Sequence, residues 1–244
     1  MNEAMPFFMG LRDVGLFVRS ARTDARLNQL RSTQGAAAAL EAVYAANPDP
    51  WAAGSPHYRY QRRKYEVLAS RLPPRRFHHA LDLGCGLGLL SRHLAAHADS
   101  VLGVDVAPTA IARARVQHAD VPNLAFETHN IMALPSSLDG RFDLIMIADV
   151  LYYLFPLDDA ALKTLSRRIA QLLSPGGICM LVNHYFFAFD SESRRSRRIH
   201  DAFIWSSDFT LDSEYRRPFY LVTQLSGISE RVTQPHKNNY ATRP

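Results

Sequence analysis

"ALDLGCGLGLLSRHLA", residues 80–95, decides how this chain is read. A short apolar run ends at Asp82, glycines follow at positions 84, 86 and 88, and a helix-like run comes next. A strand turning through glycines into a helix is a common nucleotide cradle. The dinucleotide fingerprint requires G-x-G-x-x-G. Counted from Gly84, its third glycine would fall at position 89, which is Leu89. No Gly-Lys-Ser/Thr follows, so a Walker-type phosphate loop is excluded.

The observed spacing, D-x-G-x-G-x-G, has chemical content. A pyrophosphate is drawn to a helix N-terminus by its N–H groups and dipole, and Asp82 beside the turn opposes it. A phosphate-free ligand with a cationic amino group is attracted instead. S-adenosylmethionine is such a ligand: its ammonium can sit near Asp82, while Gly84, Gly86 and Gly88, with Cys85 between them, let the backbone approach closely. Asp105 ends the next apolar run, "SVLGVDV", where a carboxylate can accept from both ribose hydroxyls or cap the following helix. Val106 stands beside it.

Working outward, apolar runs alternate with amphipathic segments from residue 78 onward. "HALDLGC", "SVLGVDV", "LAFETHN", "FDLIMIADV" and "ICMLVNHY" read as strands. The segments between the first three, and "DDAALKTLSRRIAQLLS", read as helices. This rhythm predicts right-handed βαβ units. "FTLDSEYR" and "PFYLVTQL" predict a terminal antiparallel hairpin. The fold class is therefore α/β: a Rossmann-like doubly wound sheet of seven strands, mostly parallel, with N-terminal helices forming a lid. Residues 1–34 form an extension, partly helical or disordered, in which Phe7, Leu11, Val14, Val18 and Ala21 mark one docking face. Residues 35–77 form a helical cap, 78–228 the core, and 229–244 a tail.

Composition bounds the partners. The chain has 244 residues and is 47% hydrophobic, enough for one sizeable core. Its net charge of +5 arises partly from Arg194, Arg195, Arg197 and Arg198, which read as a solvated helix face. Its two cysteines, Cys85 and Cys179, lack metal or disulfide spacing and fit a reducing, cytoplasmic setting. No integral membrane segment, signal peptide, metal cluster or nucleic-acid groove is read.

Together Asp82, the glycines, Asp105 and the strand rhythm resemble the class I S-adenosylmethionine-dependent methyltransferases. "YAANPDPWAAGSPHYRYQRRKYEVLASRLP", residues 44–73, and "IADVLYYL" resemble more narrowly the nodulation protein S group. The resemblance implies that Asp82 and the glycines line the methionine part and Asp105 the ribose. The place of the usual adenine-contacting acid holds Asn130, followed by Ile131 for the ring side. Trp51 would close the site. Arg63, with Lys64 as second choice, would pair with the methionine carboxylate.

Strand four ends at Asp149, followed by Tyr152, and strand five ends at His184. His184 as general base and Asp149 as acceptor of the substrate amine form one workable arrangement, with Tyr152 as a wall. The expected activity is methylation of a small-molecule or saccharide amine, releasing S-adenosylhomocysteine. Oxygen methylation of a small metabolite and a non-catalytic cofactor-binding subunit remain alternatives. The oligomeric state is not legible.

Overall fold

The computed structural model describes residues 11–154, 156–185, 191–217 and 219–228, with the side chains of 11 and 12 left out. Three helices come first: α1 (Leu11–Gln34), α2 (Ala36–Ala46) and α3 (Arg59–Ser70). The core then alternates β1 (Phe77–Leu83), α4 (Leu89–Ala95), β2 (Ala98–Asp105), α5 (Pro108–Gln117), β3 (Leu124–Thr128), β4 (Phe142–Ala148), α6 (Asp159–Leu172) and β5 (Leu173–Tyr185). Helix α7 (Ser191–Ile204) leads into the hairpin of β6 (Phe209–Arg217) and β7 (Phe219–Gly227).

The seven strands run in the order β3-β2-β1-β4-β5-β7-β6. β1 to β5 pair in parallel, β7 runs antiparallel to β5, and β6 antiparallel to β7. The order reverses at β1, which lies between β2 and β4, so the crevice for a ligand opens at the carboxyl ends of β1 and β4. The period of two along each strand divides the core. Leu81, Leu83, Ile145 and Ile147 pack toward Leu165 and Ile169 of α6 and Phe203 of α7. Ala80, Leu144 and Met146 pack with Leu68 of α3 and Leu90 and Leu94 of α4. Helices cover both faces, which is why the central strands read as nearly continuous apolar runs. One predicted boundary moves: β5 begins at Leu173, ahead of the "PGG" that was expected to precede it.

Helix α1 forms over 24 residues, but its expected docking face is wrong. Val14 and Val18 are exposed, whereas Asp13 and Leu27 are buried and Phe17, Ser20 and Asp24 half-buried. Phe7 lies outside the described residues, as does the 229–244 tail. Polar anchors set the rotation of the helix. Asp13 accepts from the Arg59 N–H at 2.8 Å, Arg19 donates to Asn47 and to the Asp49 carbonyl, and the Thr23 hydroxyl donates to the Pro50 carbonyl at 2.6 Å. Asp13 thus supplies, from 46 residues away, the N-terminal cap that helix α3 lacks locally.

Replacing this remote cap tests the docking. Asp13→Ala is expected to cost roughly 1 kcal/mol in thermal unfolding. Val14→Ser, on the exposed face, should change stability by less than about 0.5 kcal/mol. Equal losses would contradict the observed rotation.

Candidate active site

The turn after β1 is held open by its neighbours. Gly84 and Gly86 have φ of +76° and +52°, the left-handed region that disfavours a side chain. A Cβ on Gly84 would stand 2.6 Å from Val150 Cβ, and one on Gly86 2.5 Å from the Tyr44 hydroxyl. The glycines are thus required by protein packing. Asp105 completes the turn. One carboxylate oxygen accepts from the Gly86 N–H at 3.0 Å and the other from the Ala107 N–H at 2.9 Å. Burial raises its pKa, and these backbone donors oppose the rise.

Asp82 has a different place from the one expected. It shares the face of Ala80, toward α4, and accepts from the Ser91 hydroxyl at 2.6 Å. It is buried and lines neither cavity of the crevice. Burial raises its pKa to about 7, against the hydrogen bond from Ser91. It braces the turn against α4 from below.

Two cavities meet at this turn. The larger, about 390 Å³, is lined by Cys85, Gly86, Lys64, Tyr152, His184 and Glu192, among others. The smaller, about 210 Å³, is lined by Asp105, Val106, Asn130, Ile131 and Met132. Tyr44, Trp51, Gly84, Asp149 and Tyr153 border both. Such volumes suit a nucleoside-sized ligand with a second molecule beside it, since ligand sites commonly span about 300–1,000 Å³. The smaller cavity offers a carboxylate next to apolar walls, and so could hold a ribose and a base. Asn130 turns its side-chain oxygen onto the Met132 N–H at 2.9 Å, so this amide is partly used as a local cap. Gly88 is buried behind the turn, where a Cβ would meet Phe126, and lines neither cavity.

Asp149 lies at the junction. Its φ of +58° is unusual for a residue other than glycine and marks the end of β4 as strained. One carboxylate oxygen pairs with the ammonium of Lys64, and the other is buried without a hydrogen bond. Lys64 is itself buried and stands 5.2 Å from the Tyr220 ring centroid. Arg63, the preferred expectation, instead lies exposed on the outer face of α3, 3.5 Å from Glu66, and lines neither cavity. The period of α3 carries the reason: Tyr60, Lys64 and Leu68 fall on one stripe, so position 64 faces inward and 63 does not.

The far wall is aromatic. Trp51 contacts Tyr44 and Tyr153, with centroids 5.5 and 5.7 Å apart. Tyr153 contacts Tyr152 at 4.4 Å, and Tyr152 meets His184 edge-on at 4.4 Å. Burial drives the phenol pKa of Tyr152 upward, as it does the Cys85 thiol, so both stay neutral. His184 Nε2 lies 3.2 Å from Glu192 Oε2, a histidine–carboxylate pair at the end of β5. Glu192 and Asp24 had no sequence signal, and Tyr44, which opens the quoted stretch 44–73, had no role assigned to it. Asp24, on α1, accepts from Trp51 Nε1 at 2.8 Å and from the Tyr153 hydroxyl at 2.7 Å.

A family model described as "Methyltransferase domain" matches residues 80–177. Nodulation protein S of Sinorhizobium fredii is 31% identical over 152 residues, covering 62% of this chain and 65% of that protein. A ubiquinone biosynthesis O-methyltransferase of Cereibacter sphaeroides is 38% identical over 106 residues, covering 42% of this chain and 40% of that protein. The match thus spans less than two thirds of either relative. The crystal structure of N-methyltransferase NodS from Bradyrhizobium japonicum WM9, in complex with S-adenosyl-L-homocysteine, superposes with a TM-score of 0.62 at 20% identity, covering 86% of this chain and 99% of that one. With the sheet order above, residues 80–177 are similar to a methyltransferase domain, and the fold is the Rossmann-like one of the class I S-adenosylmethionine-dependent methyltransferases. Within that class, the chain is like the nodulation protein S group.

The Asp82 brace has a measurable signature. Its folded pKa of about 7 lies above its ordinary 3.8. Between these values the folded chain keeps a proton that the unfolded chain has lost, so stability falls as pH rises through this window. Asp82→Asn should flatten that fall in pH-dependent thermal unfolding. An unchanged slope would show that Asp82 does not titrate there.

Proposed function

We propose that this chain transfers a methyl group from S-adenosylmethionine to an amine of a small molecule or saccharide. The observation that carries the reading is the junction of two cavities at Gly84 and Asp149, one bordered by Asp105 and the other by the His184–Glu192 pair. Asp105 would receive the ribose hydroxyls, with Val106 and Ile131 against the base. The bare oxygen of Asp149, with Gly84, Cys85 and Gly86, would hold the methionine part. Lys64 is the cation poised nearest to it, in place of Arg63.

Bound S-adenosylmethionine supplies an electrophilic methyl group. The chain must then present an acceptor with a free lone pair and keep water away. Trp51, Tyr152 and Tyr153 wall the larger cavity. An ammonium entering there would give a proton to the His184 imidazole, which Glu192 steadies and whose charge it offsets. An amine acceptor is favoured over a neutral hydroxyl by the lining itself: Asp24, Asp49, Asp149 and Glu192 against the single cation Lys64 among the described lining residues.

Turnover by the purified chain with glucosamine, and none with N-acetylglucosamine, would support amine methylation. Methylation of both would favour an oxygen acceptor, and turnover of neither sugar would remove a saccharide amine. His184→Ala should lower kcat by about 10²–10⁴-fold, and Glu192→Gln by less, with a shifted pH profile. Unchanged kcat in His184→Ala would remove the imidazole from the proton path. Asp105→Asn should weaken S-adenosylhomocysteine binding in calorimetry about tenfold, the loss of roughly one charge-assisted hydrogen bond. An unchanged Kd would remove Asp105 from the ribose site.

A further inference from the structure

We infer that Asp24, on helix α1 and outside residues 80–177, is a specificity-determining residue that receives the cationic amine of the acceptor. The inference rests on the amine reading above and identifies the group that selects for it.

The four carboxylates lining the larger cavity differ in their partners. Asp49 accepts from the Ala53 and Gly54 N–H groups, one on each oxygen. Asp149 is paired with the Lys64 ammonium. Glu192 stands against His184. Asp24 differs from all three. Both of its hydrogen bonds, from Trp51 Nε1 and the Tyr153 hydroxyl, fall on Oδ1 and come from neutral donors. Among the described residues its Oδ2 receives no hydrogen bond, and no cation lies within ion-pair distance of it. A half-buried carboxylate that lines a ligand cavity with one oxygen uncommitted is placed to accept from a ligand. Burial raises its pKa. A cation arriving at Oδ2 would offset the cost that burial places on the charged carboxylate.

The surroundings suit an ammonium in particular. Trp51 and Tyr153, fixed by the same carboxylate, present aromatic rings beside it, and an ammonium is attracted to such faces. His184 interacts electrostatically with Asp24, so the cation would dock near the group proposed to take its proton. In that step one N–H bond of the ammonium breaks, the proton moves to the imidazole, and the lone pair stays on nitrogen. Three segments of chain distant in sequence, at positions 24, 51 and 153, must be assembled for this to occur. A neutral hydroxyl could donate one hydrogen bond to Oδ2 but would gain neither the charge pairing nor the attraction to the aromatic faces.

The test uses Trp51 as the reporter. The chain has two tryptophans, and Trp205 is exposed on the surface at 83%. In the Trp205→Phe protein loaded with S-adenosylhomocysteine, glucosamine should change Trp51 emission saturably, and N-acetylglucosamine should not. Asp24→Asn keeps an oxygen for Trp51 and Tyr153 but removes the charge. It should raise the glucosamine Kd, and KM in turnover, at least tenfold, with kcat changed less than about threefold and S-adenosylhomocysteine affinity unchanged. Asp24→Glu should recover part of the loss and guards against a folding defect in the first variant. A glucosamine Kd unaltered in Asp24→Asn, or no emission change in the parent, overturns the inference. Failure to bind S-adenosylhomocysteine would instead sink the methyltransferase reading itself, so the two failures are distinguishable.

Discussion

The carboxylate of Asp105 is the constraint on which the site depends. It receives the N–H of Gly86 with one oxygen and that of Ala107 with the other. These bonds clamp the glycine turn after β1 to the start of α5 after β2. The clamp is buried, so each donor is worth more than it would be in water. The position of the turn fixes the floor of both cavities, and Val150 and Tyr44 can pack over Gly84 and Gly86 only because no side chain intervenes. Asp82 supports the same turn from the opposite side through Ser91.

The roof is assembled by polar contacts between segments far apart in sequence. Asp13 caps α3. Glu41 accepts from the Thr109 N–H at 3.1 Å and so caps α5. Arg113 donates to the Tyr44 and Asn47 carbonyls at the end of α2. Helix ends leave backbone groups without partners, and here the neighbouring helix supplies them. The three N-terminal helices are thereby held over the crevice by directional bonds, and their rotation follows those bonds rather than their most apolar stripe. This explains why Val14 and Val18 face solvent while Asp13 is buried.

Most of the core was legible because its signals are local. The apolar runs, "PGG", the glycine spacing and Asp105 at a strand end each act within a few residues. The helical period of residues 60–68 already distinguishes Lys64 from Arg63, since a position four residues from both Tyr60 and Leu68 must share their face. Identity of residue type misled where period would have served: arginine suits a carboxylate, but position 63 points away from the crevice. Asp82 illustrates a second limit. Its place before the glycines suggests a ligand contact, yet the alternation along β1 directs it to α4.

The chain's sequence by itself determined the alternation of strands and helices, the turn conformation that only glycine relieves, and the acidic residue beside it, because periodicity and backbone sterics act over short separations. Only the tertiary structure decided which acids face the cavity, which are neutralised within the protein, and which remain available. Asp149 finds Lys64, His184 finds Glu192, and Asp24 finds Trp51 and Tyr153. A carboxylate's chemistry depends on the charges and donors within a few ångströms of it. Folding brings those groups together from positions as far apart as 24 and 153.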